Sequence, residues 1–359
     1  MTEPALYLPP PVRCESLAAM AARDGGRRVV RAETPAEALA LPGRATAELR
    51  ACLARQQPGG ISVEAVASLP GGRVFGHGAV LSADGTSVAR DVSLDFGRPA
   101  DTHWLLGERR LRPPTVLPGI TAVIASALGE GYCHWLLDEL PRLLVLGQQE
   151  QKTSLLAHVG AAYARAALAH FGWSGPVIEP KRRSYFQCDE LLVPTLPGWT
   201  GHATPRQLAL IREFAVGLPG VSGGAGEPER IYIDRTGARR RQVANEPAVI
   251  GALAAKGFVA VRLEDLPWAE QIDRFRRAKV IVAPHGAGLA NLVFCEPGTR
   301  VIELFDRSYV NGCFWQLAAL RGLDYRPLVA AGDEALGAEP GHNRCDIVVD
   351  LAGLVVALR

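Results

Sequence analysis

The sequence predicts an α/β protein of two domains, and three observations carry that prediction. The second half alternates short apolar, β-branched runs with helical stretches of 10 to 12 residues, the pattern of a parallel doubly wound sheet. One stretch, Val280 to Phe305, reads as a complete strand–turn–helix–turn–strand unit. The segment Leu218 to Pro228 holds four Gly and two Pro in eleven residues, a linker composition, and separates this half from an earlier one richer in strands.

At 359 residues two domains are expected, and 48% hydrophobic residues are ample for their cores. A net charge of +2 gives no reason to expect a nucleic-acid partner. Seven cysteines without a C-x-x-C pair fit reduced thiols better than a disulfide framework or a zinc knuckle. The N-terminal MTEPALYLPPPVRCE lacks the basic and apolar regions of a signal peptide, and no run approaches the ~20 apolar residues of a membrane span. The expectation is a soluble, cytoplasmic protein, with peripheral attachment to a membrane left open.

The first half reads as a mixed sheet. Strands are expected at Ile61–Val66, Arg73–Leu81, Val88–Phe96 and Thr121–Ala125, with a hairpin turn at Ser82-Ala83-Asp84-Gly85. Gly131 to Leu146 follows as an amphipathic helix. Leu136, Leu137, Leu140, Leu143 and Leu144 share one face; His134, Asp138 and Arg142 form a stripe on the other, flanked by Tyr132 and Trp135. Pro141 should kink it. A helix at 153–170, a strand at Glu190–Val193 and a helix from Thr204-Pro205 to Leu218 complete the first domain, residues 1–218. The second, residues 229–359, should hold strands at 230–234, 258–263, 280–283, 300–305, 325–329 and 346–349. Helices are expected at 246–256, 268–278, 289–294 and 311–321 and at the end of the chain.

Candidate chemistry gathers at the carboxyl ends of the second-half strands, where open α/β sheets bind ligands. His285-Gly286-Ala287-Gly288 forms a small-residue turn after one strand, and Glu303 stands near the end of the next, where an acid can accept from ribose hydroxyls. Arg235 ends the first strand of this half, with Arg239, Arg240 and Arg241 close behind, suited to a diphosphate. Each feature alone has a structural explanation: a turn histidine, an ion-paired acid, a solvated basic loop, a helix cap at Asn245. Gly220-Val221-Ser222-Gly223-Gly224 matches the nucleophile elbow, but it precedes a strand and lies before the glycine-rich loop, so an α/β-hydrolase reading fails. The absence of D-x-D and of H-E-x-x-H leaves a metal site without support.

Three blocks make the sequence resemble glycosyltransferase family 61, which includes bacterial capsule-biosynthesis enzymes, plant xylosyltransferases and animal O-linked N-acetylglucosaminyltransferases. They are His134 to Arg142; Ile231 to Arg235 with Arg241, Asn245 and Glu246; and His285 to Asn291 with Phe294, Pro297, Gly298 and Glu303. The resemblance runs from about residue 115 to the C-terminus. It implies a GT-B architecture, two Rossmann-like domains facing an interdomain cleft, and an inverting, metal-independent transfer that needs no cofactor. The donor is a nucleotide-sugar, expected to be uridine-linked, and the acceptor a glycan or glycolipid, as in polysaccharide biosynthesis. Arg235, Arg241, His285, Gly286, Ala287, Gly288, Asn291 and Glu303 are the expected donor residues. Asp138 is the expected general base with His134 beside it, and Trp135 and Arg142 belong to the acceptor side. His134 is the rival base, since an imidazole's ordinary pKa near ~6.5 suits neutral pH. A non-catalytic nucleotide-binding module is the alternative reading.

Overall fold

The computed structural model describes residues 7–95, 98–99, 101–150, 152–196, 203–222, 229–332, 336–337 and 345–359. The chain is α/β and divides into two compact units, Met1–Pro35 with Gly60–Leu210, and Ala36–Gly59 with Ile211–Arg359. The division therefore falls inside the helix Pro205–Val216 rather than in the glycine-rich linker, of which residues 223–228 lie outside the described residues. Residues 36–59 join the second unit because their polar groups are satisfied there. Gln56 donates to the Val310 carbonyl (3.0 Å) and accepts from Gly312 N–H (2.7 Å), and the Trp315 indole donates to the Ala40 carbonyl (3.0 Å).

The first unit is built on one mixed sheet. Its strands are β1 (Arg13–Glu15), β2 (Arg27–Pro35), β3 (Ile61–Pro70), β4 (Arg73–Phe75), β5 (Ala79–Leu81), β6 (Ser87–Ala89), β7 (Thr115–Val123), β8 (Ser154–Leu156), β9 (Val177–Ile178) and β10 (Tyr185–Pro194). The order is β1-β6-β5-β4-β10-β7-β8-β9, with β3 also on β10 and β2 on β3. The strand expected at 73–81 is split in two because the chain reverses at Gly76 and Gly78, whose φ of 58° and 120° only glycine adopts freely. The helix expected from 153 begins only at Ala162. Residues 154–156 instead form β8, where Leu155 and Leu156 are wholly buried between parallel neighbours on both sides.

The second unit carries a wholly parallel sheet of β11 (Glu229–Ile233), β12 (Val259–Val261), β13 (Ala278–Pro284), β14 (Arg300–Phe305) and β15 (Asp324–Val329), in the order β12-β11-β13-β14-β15. Strand order reverses between β11 and β13, so the crevice at their carboxyl ends is the topological switch point. The helix after β13 is a 3-10 helix, Ala287–Phe294, and begins two residues earlier than expected. The strand expected at 346–349 makes only an isolated bridge, Ile347 to Val243. The Asn245 side chain takes the place of a neighbouring strand, donating to the Val349 carbonyl (2.9 Å) and accepting from its N–H (3.0 Å), and so does not cap its helix. No helix among the described residues is long and apolar enough to cross a membrane.

Truncating Leu156 tests the placement of β8. A wholly buried leucine cut to alanine costs about 2–5 kcal/mol, so Leu156→Ala should lose that much by urea denaturation. A loss below about 0.5 kcal/mol, the range of surface changes, would return this segment to the surface.

Candidate functional site

At the switch point, the turn after β11 is pinned by a buried carboxylate. Glu246 Oε1 accepts from the Tyr232 hydroxyl (2.8 Å) and from Arg235 N–H (3.2 Å), while Oε2 accepts from the Thr236 hydroxyl (3.0 Å). Asp234 accepts from Thr236 N–H (2.7 Å) and tightens the same turn. The Arg235 guanidinium then crosses the turn after β13. A Cβ on Gly286 would lie 2.1 Å from Arg235 Nη1, so the guanidinium can lie over this turn as it does only while residue 286 has no side chain. Gly288 is a glycine for packing, since a Cβ would meet Leu263 at 2.6 Å.

Arg235 and Arg241 are an under-satisfied pair. Arg235 Nη2 donates to the Arg240 carbonyl (3.1 Å), but the Nε of both arginines is buried without a partner. Burial pulls both guanidinium pKa values down, and for Arg235 the charge of Arg241 is the next cause. Arg241 is also the one non-glycine among the described residues with positive φ (55°), and its guanidinium lies 5.5 Å from the centre of the Tyr309 ring. Backbone strain and desolvated like charge thus coincide in one place.

The third member of the turn is held from behind. His285 is buried against Phe305, Tyr309 and Phe314, with ring centroids at 5.2, 5.5 and 5.3 Å. Its Nδ1 lies 2.5 Å from Glu303 Oε1, and Glu303 Oε2 accepts from the Tyr325 hydroxyl at 2.5 Å. A carboxylate only accepts, so Nδ1 carries the proton and Nε2 is the remaining hydrogen-bonding atom of the ring. Two expected donor residues are displaced by this geometry. Glu303 is not a ribose ligand: it has no exposure, stands two residues short of the end of β14, and has both oxygens taken. Asn291 is also wholly buried and donates to Gln271 (3.2 Å), which in turn braces the Leu263 and Leu266 carbonyls.

In the first unit, the helical stripe is reshaped around Pro141. The segment is α-helical at Tyr132–His134, π-helical at Trp135–Glu139 and α-helical at Leu140–Leu146. His134 Nδ1 meets Asp138 Oδ2 at 2.9 Å, with the imidazole partly exposed and the carboxylate not at all. Asp138 therefore lies behind His134 and is not presented to solvent as expected. Trp135 is buried against Tyr163 (5.0 Å) with an edge on a small cavity of about 180 Å³. Arg142 is no acceptor-side residue. It is wholly buried, donating to the carbonyls of Pro194, Ile124 and Ala125 at 2.9–3.0 Å, and desolvation brings its pKa down to about 10. Asp138 and Arg142 are thus internal rather than presented to a cleft, Arg142 being held against the ends of β7 and β10.

A relay that sequence reading missed lies beside this pair. Glu139, buried, accepts from Ser126 N–H (2.7 Å) and from His158 Nδ1 (2.7 Å), and His158 Nε2 faces His77 Nδ1 at 3.2 Å. Gly129 makes room for it, since a Cβ there would collide with the Glu139 carboxylate. Among the described residues His77, Glu130 and His158 are the cluster able to hold a metal, with ligand atoms within 4.8 Å of one another. The three are far apart in sequence and show no ligand spacing. Burial lowers the His77 pKa. It would lower that of His158 too, but the Glu139 hydrogen bond and charge outweigh it and the net shift is upward.

Fold and site together define an α/β protein with a cationic crevice at a sheet switch point. Comparison with known proteins shows a likeness to one family: residues 132–302 match the family model described as Glycosyltransferase 61. The chain resembles that family across both units, and the match includes every expected site residue except Glu303, which lies one position beyond it. The chain is 34% identical over 120 residues to the EGF domain-specific O-linked N-acetylglucosamine transferase of Drosophila melanogaster, covering 31% of this chain and 23% of that protein. The protein of the same name from Xenopus laevis is 29% identical over 108 residues, 29% and 20% of the two chains. A β-1,2-xylosyltransferase of Oryza sativa subsp. japonica is 32% identical over 66 residues, 18% and 12%. The chain thus spans less than a quarter of the length of these relatives.

The relay gives a pH signature. Because the folded pKa of His158 is raised, its attraction to Glu139 stabilises fully below the unfolded value near ~6.5 and is lost as pH rises through the folded value. Glu139→Gln should therefore lose most stability relative to the parent at about pH 5.5 and less at about pH 8.5 in parallel denaturation curves. A deficit equal at both would show that no charge is shared.

Proposed function

We propose that this chain is an inverting, metal-independent glycosyltransferase that moves a sugar from a nucleotide-sugar, with uridine diphosphate as the leaving group, onto a hydroxyl of a glycan or glycolipid. The observation that carries the reading is the pair of buried, unpartnered guanidinium Nε groups of Arg235 and Arg241 at the switch point. Two charge-assisted hydrogen bonds of roughly 1.5–3 kcal/mol each would meet the diphosphate there. They would balance the charge that develops as the glycosidic bond breaks, the role a divalent ion takes elsewhere. His285 adds its Nε2 at the same turn, oriented by Glu303.

The proton acceptor is His134 rather than Asp138. A partly exposed imidazole backed by a buried carboxylate is the arrangement in which the ring accepts the proton and the carboxylate orients it and balances the imidazolium. As the acceptor oxygen attacks the anomeric carbon, its proton passes to His134 and the bonding pair leaves with the nucleotide diphosphate. The proposal keeps the GT-B assignment, donor on the second unit and acceptor on the first, with a cytoplasmic place in polysaccharide assembly. A non-catalytic nucleotide-binding module would use the same arginines, but would have no use for the His134–Asp138 pair.

Two measurements test this. Arg235→Ala should weaken uridine diphosphate binding by about one to two decades, and Gly286→Ala should do the same by pushing the guanidinium aside. Neither effect should depend on added Mg²⁺ or Mn²⁺; unchanged calorimetric affinity in both variants would sink the donor assignment. In transfer assays His134→Ala should lose roughly 10²–10⁴ of kcat, while Asp138→Asn should lose less and keep donor affinity. If Asp138→Asn is dead and His134→Ala active, the roles are the reverse.

A further inference from the structure

A large concavity lies wholly within the first unit. It is a cavity of about 950 Å³ between the β4–β5 turn, the segment 103–112 and the turn before β10. Aromatic rings line one side: Phe75 stands edge-on to both Trp104 (5.9 Å) and Tyr185 (5.3 Å). Two basic tracts about 70 residues apart in sequence, Arg109-Arg110-Leu111-Arg112 and Arg182-Arg183, meet around it. Glu108 is the one acid among the described residues that line it.

These five arginines differ from the ion-paired ones of the chain. Arg23, Arg206, Arg274, Arg277, Arg300 and Arg326 each pair with a carboxylate. Arg109, Arg110, Arg112, Arg182 and Arg183 form no ion pair among the described residues; Arg110 rests on the Tyr7 ring at 4.1 Å. In a chain of net charge +2 such a concentration does not follow from composition. Crowding like charges raises the energy of the free protein, and an anion seated among them relieves it. Guanidinium groups take carboxylates and phosphates with bidentate geometry, and the rings offer flat apolar faces to the C–H side of a pyranose. A bilayer would need projecting aliphatic side chains, and the exposed ones, such as Val12, Val29, Ile61 and Val116, lie elsewhere.

We propose that this cavity is the acceptor subsite for an acidic glycan, an oligosaccharide whose sugar rings stack on Trp104 and whose anionic groups engage the two arginine tracts. The proposal rests on the glycosyltransferase reading and names the acceptor's class. Shared position supports it: His77 lines the cavity and joins through His158 and Glu139 to the helix that carries His134.

The test is calorimetric titration of the full chain with oligogalacturonate and with a neutral malto-oligosaccharide of equal length. Inorganic tripolyphosphate and vesicles rich in anionic lipid are separate arms. The acidic oligosaccharide should bind, the neutral one at least about tenfold more weakly, and added salt should erode the difference. The exposed double variants Arg182→Glu/Arg183→Glu and Arg109→Glu/Arg110→Glu should each lose about tenfold or more, the worth of one charge-assisted bond. Trp104→Ala should weaken oligogalacturonate binding but not tripolyphosphate binding, and uridine diphosphate affinity should be unchanged in all three. Equal binding of the two oligosaccharides, or indifference to charge reversal, overturns the proposal. So does tripolyphosphate binding that matches oligogalacturonate with no effect of Trp104→Ala. Vesicle capture lost on charge reversal, without oligosaccharide binding, would make the surface a membrane contact instead. Absence of uridine diphosphate binding in the parent chain would count against the donor reading alone.

Discussion

The carboxylate of Glu303 has no contact with water, and the second unit is arranged around that fact. A buried carboxylate without partners costs several kcal/mol, so its acceptors must be filled from neighbouring strands. They are filled from both sides, by His285 at the end of β13 and by Tyr325 on β15, whose phenol is pushed to high pKa by burial and by that carboxylate. One side chain on β14 therefore sets the register of function across three adjacent parallel strands. The ring of His285 is fixed by Glu303 on one edge and three aromatic side chains on its faces. Glu246 does the equivalent work one strand over, holding the turn that launches Arg235.

With both turns fixed, the arginines are held where they repel each other. Neither can swing into solvent without losing its packing, Arg235 against Gly286 and Arg241 over Tyr309. The crevice so formed is cationic without any ligand, which is the preorganisation the proposed diphosphate leaving group would need. Arg241, a bulky residue at φ 55°, adds backbone strain at the same place.

What the sequence made legible follows from the range of the interactions involved. The five parallel strands of the second unit announced themselves through local apolar runs, and the turn at 285–288 through small residues whose spacing is local too. Arg235 stood out because it follows a strand end closely, and Arg241 because it closes the run of arginines behind that strand. Glu303 was found at the right place and given the wrong task, because a strand-end acid looks the same whether its partners are ribose hydroxyls or a histidine and a tyrosine 18 and 22 residues away. Arg142 was misplaced because helical periodicity reports which residues share a face but not whether a sheet covers that face. The relay Glu139–His158–His77 and the meeting of the two arginine tracts were invisible for the same reason: their members converge only through tertiary contacts.

The first unit shows how one local irregularity can distribute chemistry. Pro141 has no N–H to offer the helix, and the turn before it widens so that Leu140 N–H reaches back five residues to the Trp135 carbonyl. In a π turn, the positions that share a face are no longer those of a regular helix. Asp138 stays under His134, while its neighbour Glu139 is carried round to meet His158 and the backbone of Ser126. Two consecutive acids thus serve two different histidines on different sides of one helix. A regular turn would have put successive side chains about 100° apart, since it holds roughly 3.6 residues, and the wider turn changes which neighbours each can reach. Proline at 141 has a positive function here, since the irregularity it imposes separates the orienting carboxylate of the proposed base from the carboxylate that anchors the relay.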